Sequence, residues 1–418
     1  MTNVQPYFPQ PVFGGEAGDG RAVPRVLISP HRYIQGEGIV DHLGRYISVL
    51  PSTRPMILIS AGGEKRFGHR IRRSLAAVNA EPVFYLFKGE CSHKGVGRVV
   101  DAANAHEIKM DAVIAVGGGK CLDAGKCIAF RLNLPVVICP TIASTDAPCS
   151  AVSVMYTEEG VGKGPEFFPN SPAMVIMDTG IIAASPLRHL VAGMGDALAT
   201  WYEARTCFNN PNARNMLGGR PTITALAISK LCAETIFKHG IAAVDAIKQK
   251  IINDSLEQII EANTLLSGMG FESGGLAAAH GVAAGLTVIP VLHNDYLHGE
   301  LVGMGLMTHL ILEDNNEEAQ SVATFLAQVG LPVHMGQLSL DSSADQAAIK
   351  TAMEAALESH LVASEPFTVT PENLLAAFLQ ANALGLKTAK LMGDAAYRGL
   401  HSMTSSGKNR EIPAHGHH

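Results

Sequence analysis

Basic charge is scarce in this chain. Its 32 Lys and Arg stand against 38 Asp and Glu, only 17% of the 418 residues are charged, and the net charge is −6. That balance excludes a nucleic-acid footprint and a polybasic membrane segment. No apolar run reaches 18 residues, so no membrane span is expected. The opening "MTNVQPYFPQPVFGGEAGDG" has no basic start and no apolar core, so it does not read as a secretory leader. Cysteine is sparse and odd in number: seven residues, none in a CxxC pair. That argues against a disulfide framework and for a reduced, cytoplasmic setting with thiols as small core residues. What is present is 47% hydrophobic residues and 42 glycines. This is the composition of a compact globular enzyme of roughly two to three domains.

Up to about residue 180 the chain alternates strand-like and helical stretches. "RVLIS" (25–29), "MILIS" (56–60), "VFYLF" (83–87), "AVIAV" (112–116), "VVIC" (136–139), "VSVMYT" (152–157) and "AMVIMD" (173–178) are apolar and bounded by Gly, Pro or charge. Alternation at this spacing predicts an α/β domain with a parallel, Rossmann-like sheet. After about 185 the pattern is helical, with apolar residues at three- and four-residue spacing. The expected division is a loose extension at 1–24, an α/β domain at 25–184, an all-α domain at 185–408 and a frayed tail at 409–418. Ligands of open α/β sheets bind at the carboxyl ends of strands, so the second domain is expected to close a cleft over that edge.

"DAVIAVGGGKCLDAGK" (111–126) reads strand, glycines, helix. Gly117, Gly118 and Gly119 allow a sharp turn and close approach of backbone N–H groups to a pyrophosphate. It is neither G-x-G-x-x-G nor a Walker loop, and an ordinary glycine-rich turn fits the same letters. Thr141, Ser144 and Asp146 follow the next strand, where they suit either a ligand's hydroxyls or a polar turn. Glu64, past the second strand, is placed to accept from ribose hydroxyls and repel a 2′-phosphate, or simply to open a helix.

Asp196 lies among Ala, Leu and Trp201, and a buried aspartate needs a partner. It reads equally as a helix-start charge after Gly195. His280, His293 and His298 fall in one apolar run. An unbroken helix would separate His280 and His298 by about 27 Å, but Pro290 breaks it into two and lets them converge. Asp plus two His makes an open metal shell with a position left for a substrate oxygen. His293 is assigned to the rim of the cleft. Each histidine alone also reads as a structural one.

Together "GGGKCLDAGK", "PTIASTDAPCSAVSVMYT", "GDALATWYEAR", "IEANTLLSGMGFESGGLAAAHG" and "HGE" resemble the glycerol dehydrogenases, of the iron-type (group III) polyol dehydrogenase family, which share a fold with dehydroquinate synthase. The likeness runs over roughly 25–400. It implies metal ligation by Asp196, His280 and His298, with zinc the usual ion and Fe2+ the alternative. It implies NAD contacts by Gly117 through Gly119, Lys120, Asp123, Thr141, Ser144, Ser150, Val152 and Tyr156, with Glu64 in place of an aspartate that selects NAD over NADP. Asp146 matches a substrate-contacting aspartate. The implied reaction is reversible, NAD-linked oxidation of glycerol to dihydroxyacetone: the metal lowers the pKa of the alcohol, hydride passes to the nicotinamide and Asp146 orients a second hydroxyl. The proton acceptor is not identified. A homo-oligomer, often an octamer, is implied as well.

The chain departs from the family pattern on the substrate side. Ala283 and Ala284 stand where the family places His and Asn, the loop before "HGE" is one residue longer, and "SHLVASEPF" (359–367) replaces an "HNMP"-like segment. These changes keep open another small diol or amino alcohol: 1,2-propanediol, 2,3-butanediol or 1-amino-2-propanol. Two other classes are a dehydroquinate synthase-like lyase and a catalytically silent binding protein. No Lys or Arg occurs from Asn263 to Glu300. Burying a phosphorylated, carboxylated substrate without counter-charge is costly, which favours an uncharged polyol.

Overall fold

The computed structural model of the chain describes residues 5–14 and 22–402. The expected tail at 409–418 and the parts of the extension at 1–4 and 15–21 lie outside the described residues. The rest of that extension touches the body: Tyr7 bridges Phe167, and Gln10 packs on Gly218.

Six parallel strands form one sheet in the order β1-β8-β5-β4-β2-β3. They are β1 (Tyr33–Gly36), β2 (Pro55–Ile59), β3 (Val83–Leu86), β4 (Ala112–Gly117), β5 (Val136–Pro140) and β8 (Met174–Asp178). Side chains alternate between the two faces. Met56, Leu58, Val113 and Ala115 join the core on one side, and Ile57, Ile59, Ile114 and Val116 that on the other. Both faces are covered, so the strands read as continuous apolar runs. The helices on them include α1 (Ala61–Ala76), α2 (His93–Ala105) and α3 (Gly119–Leu132).

The structure departs from the sequence-based expectation at two strands. The run 25–29 lies outside the sheet. Arg25 makes one isolated bridge to Arg220, and the Ile28 N–H donates to Ser273 Oγ, so this stretch packs on the helical part between Pro24 and Pro30. Tyr33–Gly36 takes the edge of the sheet instead, paired with β8. The strand at 152–157 was expected in the main sheet. It forms β6 (Val152–Tyr156) of an antiparallel hairpin with β7 (Gly162–Phe167). "GKGPEF" carries no apolar alternation, so its strand character comes only from pairing with β6.

Beyond Asp178 no further strand occurs among the described residues. The helices that matter are α4 (Leu187–Asn209), α5 (Ile223–Gln249), α6 (Asp254–Glu261, continued through a π-turn at Ala262–Leu266 to Ser267–Gly274), α7 (Ala278–Leu286), α8 (Pro290–Asp295) and α9 (His298–Leu312). The histidine run thus forms three helices rather than two: Pro290 opens the second, and a further break at Tyr296 and Leu297 separates it from the third.

Glycine decides how closely these helices meet. A Cβ at Gly299 would overlap the Ala192 carbonyl oxygen of α4, and one at Gly305 would overlap the Ala279 carbonyl oxygen of α7. Backbone-to-backbone contact of this kind sets α9 against both. Gly299→Ala therefore forces α4 and α9 apart, with an expected loss of roughly 2–4 kcal/mol. Denaturant unfolding measures this, and a variant as stable as the parent would contradict the packing.

Candidate active site

The site grows from that close packing. Asp196 sits in the middle of α4, completely buried, so it is not a helix-start charge. His280 lies in the first turn of α7, and His298 begins α9. His280 Nε2 is 3.3 Å and His298 Nε2 3.4 Å from Asp196 Oδ1. The Asp146 N–H donates to Asp196 Oδ2 at 3.2 Å, while Oδ1 accepts no hydrogen bond although it is buried. A buried carboxylate oxygen without a donor calls for an explanation, and two imidazole nitrogens converging on the same atom supply it. This donor set fits a divalent cation, which Asp196, His280 and His298 would hold. The half-exposed His298 side chain leaves one side of the set open.

A residue that sequence reasoning missed supports the set. Glu203 Oε2 is 2.5 Å from His280 Nδ1, and Glu203 Oε1 accepts the N–H groups of Ala277 and His280. The carboxylate thus caps a helix start where Ala277 has no capping side chain, and it fixes the imidazole tautomer. Burial opposes charge on His280, but Glu203 and Asp196 on either side outweigh it and hold the His280 pKa well above the ordinary value. The same field favours a bound cation. Asp146 responds the other way. Burial first, and the neighbouring Asp196 charge second, push its carboxyl pKa well up. Ser267 Oγ donates to Asp146 Oδ2 at 2.8 Å from just beyond the π-turn of α6.

Glu365 Oε1 accepts the Ala278 N–H at 3.1 Å and lies 3.0 Å from His309 Nδ1, with Glu313 Oε2 3.6 Å from His309 Nε2. The segment 359–367 therefore reaches the helix that carries His280. Burial disfavours the charged His309, yet Glu365 and Glu313 overcome this and raise its pKa to about 9. A raised folded pKa contributes stability that is complete below the unfolded value near 6.5 and is lost as pH rises through 9. The contribution is on the order of 3 kcal/mol. Melting temperature is expected to fall between pH 7 and 10, and His309→Gln to flatten that fall. An equal slope in both proteins would refute the assignment.

The nucleotide candidates gather at the carboxyl edge of the sheet. The chain turns outward from β2 to β3 and inward from β4 to β5, so a crevice opens above β2 and β4, where such sheets bind ligands. Gly118 caps α3 at that point, and a Cβ at Gly119 would meet nothing within 4 Å. The Thr141 N–H donates to Gly117 O, which ties the β5 loop to the glycine turn. Glu64 is in the first turn of α1 and pairs with Arg72. Lys120 pairs with Glu90 at 2.5 Å. Asp123 and Ser150 are buried: Val154 N–H donates to Asp123, and Lys126 contacts both side chains. Val152 and Tyr156 lie on β6, and Ser144 is partly exposed in the β5 loop. His293 Nε2 meets Gly160 O at 3.0 Å, which links α8 to the hairpin loop. Ala283 packs in the helical core and Ala284 is exposed, so the two methyl groups do not share one environment.

Comparison with known proteins bears on the family and the fold. Residues 30–179 match the family model described as iron-containing alcohol dehydrogenase. The glycerol dehydrogenase of Thermotoga maritima is 41% identical over 359 residues, covering 86% of this chain and 97% of the relative. A crystal structure of a probable glycerol dehydrogenase from Sinorhizobium meliloti 1021 is 37% identical, with a TM-score of 0.80 over 87% of this chain and 99% of that one. The glycerol dehydrogenase of Schizosaccharomyces pombe is 30% identical, with a TM-score of 0.83 over 88% and 93%.

Proposed function

From this chain's membership of the iron-containing alcohol dehydrogenase family, in its glycerol dehydrogenase branch, we infer that it oxidises glycerol reversibly to dihydroxyacetone with NAD. The observation that carries the reading to this chain's own residues is the buried Asp196 Oδ1, without a hydrogen bond and facing His280 Nε2 and His298 Nε2.

Asp196, His280 and His298 would hold a divalent cation that would supply Lewis acidity toward an alcohol oxygen, and bound NAD would supply the hydride acceptor. The protein's part is positional. Asp146 N–H and Glu203 orient Asp196 and His280. Asp146 stands beside the set with its proton favoured, so it donates to or accepts from a second hydroxyl of a vicinal diol. Gly117 through Gly119, Lys120, Thr141 and Ser144 cradle the dinucleotide. Asp123 and Ser150 act on it by holding β6, and with it Val152 and Tyr156, against α3. The absence of Lys and Arg from Asn263 to Glu300 supports an uncharged substrate over a phosphorylated one. The division is proposed as α/β at 25–184 and helical metal and substrate domain at 185–408.

The test follows NADH absorbance with glycerol, 1,2-propanediol, 2,3-butanediol and 1-amino-2-propanol, each with NAD and NADP. Glycerol with NAD is expected to give the highest kcat/KM, and no net NADH with any of them would overturn the reading. Zinc is the proposed metal, because an N2O donor set with an open position suits it. Elemental analysis and add-back of Zn2+ against Fe2+ decide this. Glu64→Ser is expected to raise NADP use relative to NAD by about tenfold, because a carboxylate near a 2′-phosphate repels it. An unchanged NAD/NADP ratio would remove Glu64 from the cofactor site.

A homo-oligomer is proposed from the family and from exposed Leu231, Phe237 and Ile241 on α5, to be measured by light scattering. No described helix is long and apolar enough to cross a membrane. The described cysteines are all free and buried, which supports a reducing compartment, proposed to be the cytoplasm.

A further inference from the structure

Away from the dehydrogenase centre, three sulfurs from three elements meet beneath the β6–β7 hairpin. Cys91 Sγ, just before α2, lies 4.0 Å from Cys127 Sγ on α3. Met155 Sδ, on β6, lies 3.7 Å from the first and 3.5 Å from the second. All three side chains are buried. The point equidistant from the three atoms is about 2.2 Å from each, close to the ordinary metal–thiolate distance of about 2.3 Å. Sulfurs in van der Waals contact take similar spacings, and what singles this cluster out is that three separate elements each bring a sulfur to one point. A metal there would need no sulfur to move.

We propose that Cys91, Cys127 and Met155 form a three-coordinate site for a soft monovalent cation, Cu(I), separate from the Asp196 centre. Thiolate and thioether donors select Cu(I) among the ions that sulfur takes. Zinc takes four ligands in a closed site, and among the described residues no His, Asp or Glu joins these cysteines in a ligand set. Backbone ties hold the triangle in place. The Tyr156 N–H donates to Cys91 O, and Arg131 Nη1 donates to Cys127 O. Met155 also lines a cavity of about 230 Å³ with His93, Phe130 and Arg131, so one member of the cluster borders that cavity. The adjacent Cys127 and burial hold the Cys91 thiol far above its ordinary pKa, so it keeps its proton until an ion displaces it. Both cysteines bind as thiolates, so entry of one Cu(I) releases two thiol protons to solvent and leaves one net negative charge on the site, beside the Arg131 guanidinium. Uptake is therefore stronger at higher pH.

The experiment titrates the full-length, reduced protein with Cu(I) against bicinchoninate as a coloured competitor. The parent is expected to remove one Cu(I) per chain more than Cys91→Ser/Cys127→Ser, and X-ray absorption to show three sulfurs at about 2.2 Å. Met155→Leu nearly conserves volume and should fold as the parent does; it is expected to weaken Cu(I) binding by about tenfold or more. Circular dichroism checks that each variant is folded, and Met155→Leu decides the matter if the double variant is not. Equal Cu(I) uptake by the parent and a folded variant overturns the proposal. So does a Cys91–Cys127 disulfide, seen as a two-hydrogen mass loss, with no copper retained.

Discussion

Asp196→Asn is expected to lose bound metal and to lower turnover by roughly a thousandfold or more, while melting close to the parent. The asparagine oxygen can still accept the Asp146 N–H that now reaches Asp196 Oδ2. The change therefore does not strand the Asp146 N–H, which would cost about 1–3 kcal/mol, and the new amide N–H groups face the imidazole nitrogens of His280 and His298. What disappears is the negative charge facing His280 and His298. Loss of Lewis acidity at an alcohol oxygen is worth several kcal/mol of barrier, and each 1.4 kcal/mol is a factor of ten. Elemental analysis and NADH formation with glycerol are the two measurements. An Asn variant that keeps both metal and rate would remove Asp196 from the ligand set.

The second large effect is expected at Glu203, through the tautomer of His280. Nδ1 meets Glu203 Oε2 at 2.5 Å and Nε2 lies 3.3 Å from Asp196 Oδ1, so a cation would take Nε2 as its proton leaves while Nδ1–H stays on Glu203. Glu203→Gln keeps the volume, and its carbonyl oxygen can still accept the N–H groups of Ala277 and His280. Its amide, however, presents a donor to Nδ1. The imidazole proton then moves to Nε2, the atom that should bind the cation. Loss of an orienting carboxylate of this kind costs about 10- to 100-fold in metal affinity. Metal affinity and kcat are expected to fall together, with little change in melting temperature. Glu203→Ala also strands two backbone donors in the core, at about 1–3 kcal/mol each, so it should lose stability as well. A Gln variant with unaltered metal affinity would reduce Glu203 to a helix cap.

Asp196 was legible in the sequence because a carboxylate stood alone on an apolar helix. Glu203 was missed although a signal existed: it lies seven residues on, two turns along the same helix face of "GDALATWYEAR". Glu365 and His309 carried no local signal, since they are joined only where residues 309 and 365 meet under α7. The run 25–29 misled because Val and Ile suit a sheet and a helix-packed segment equally well.

What the sequence determined by itself is what depends on local periodicity and residue chemistry. That includes the parallel α/β half, the helical half, the glycine turn after β4 and the identity of the three metal-ligand candidates. Tertiary structure alone decided what depends on atoms brought together from far apart. Gly299 and Gly305 bring α9 close enough for His298 to face Asp196. Asp146 N–H takes one carboxylate oxygen and leaves the other free. Glu203 orients His280, and three sulfurs close a triangle under the hairpin. Hydrogen bonds and ligand sets act over about 3 Å, a distance that spacing along a chain of 418 residues does not specify.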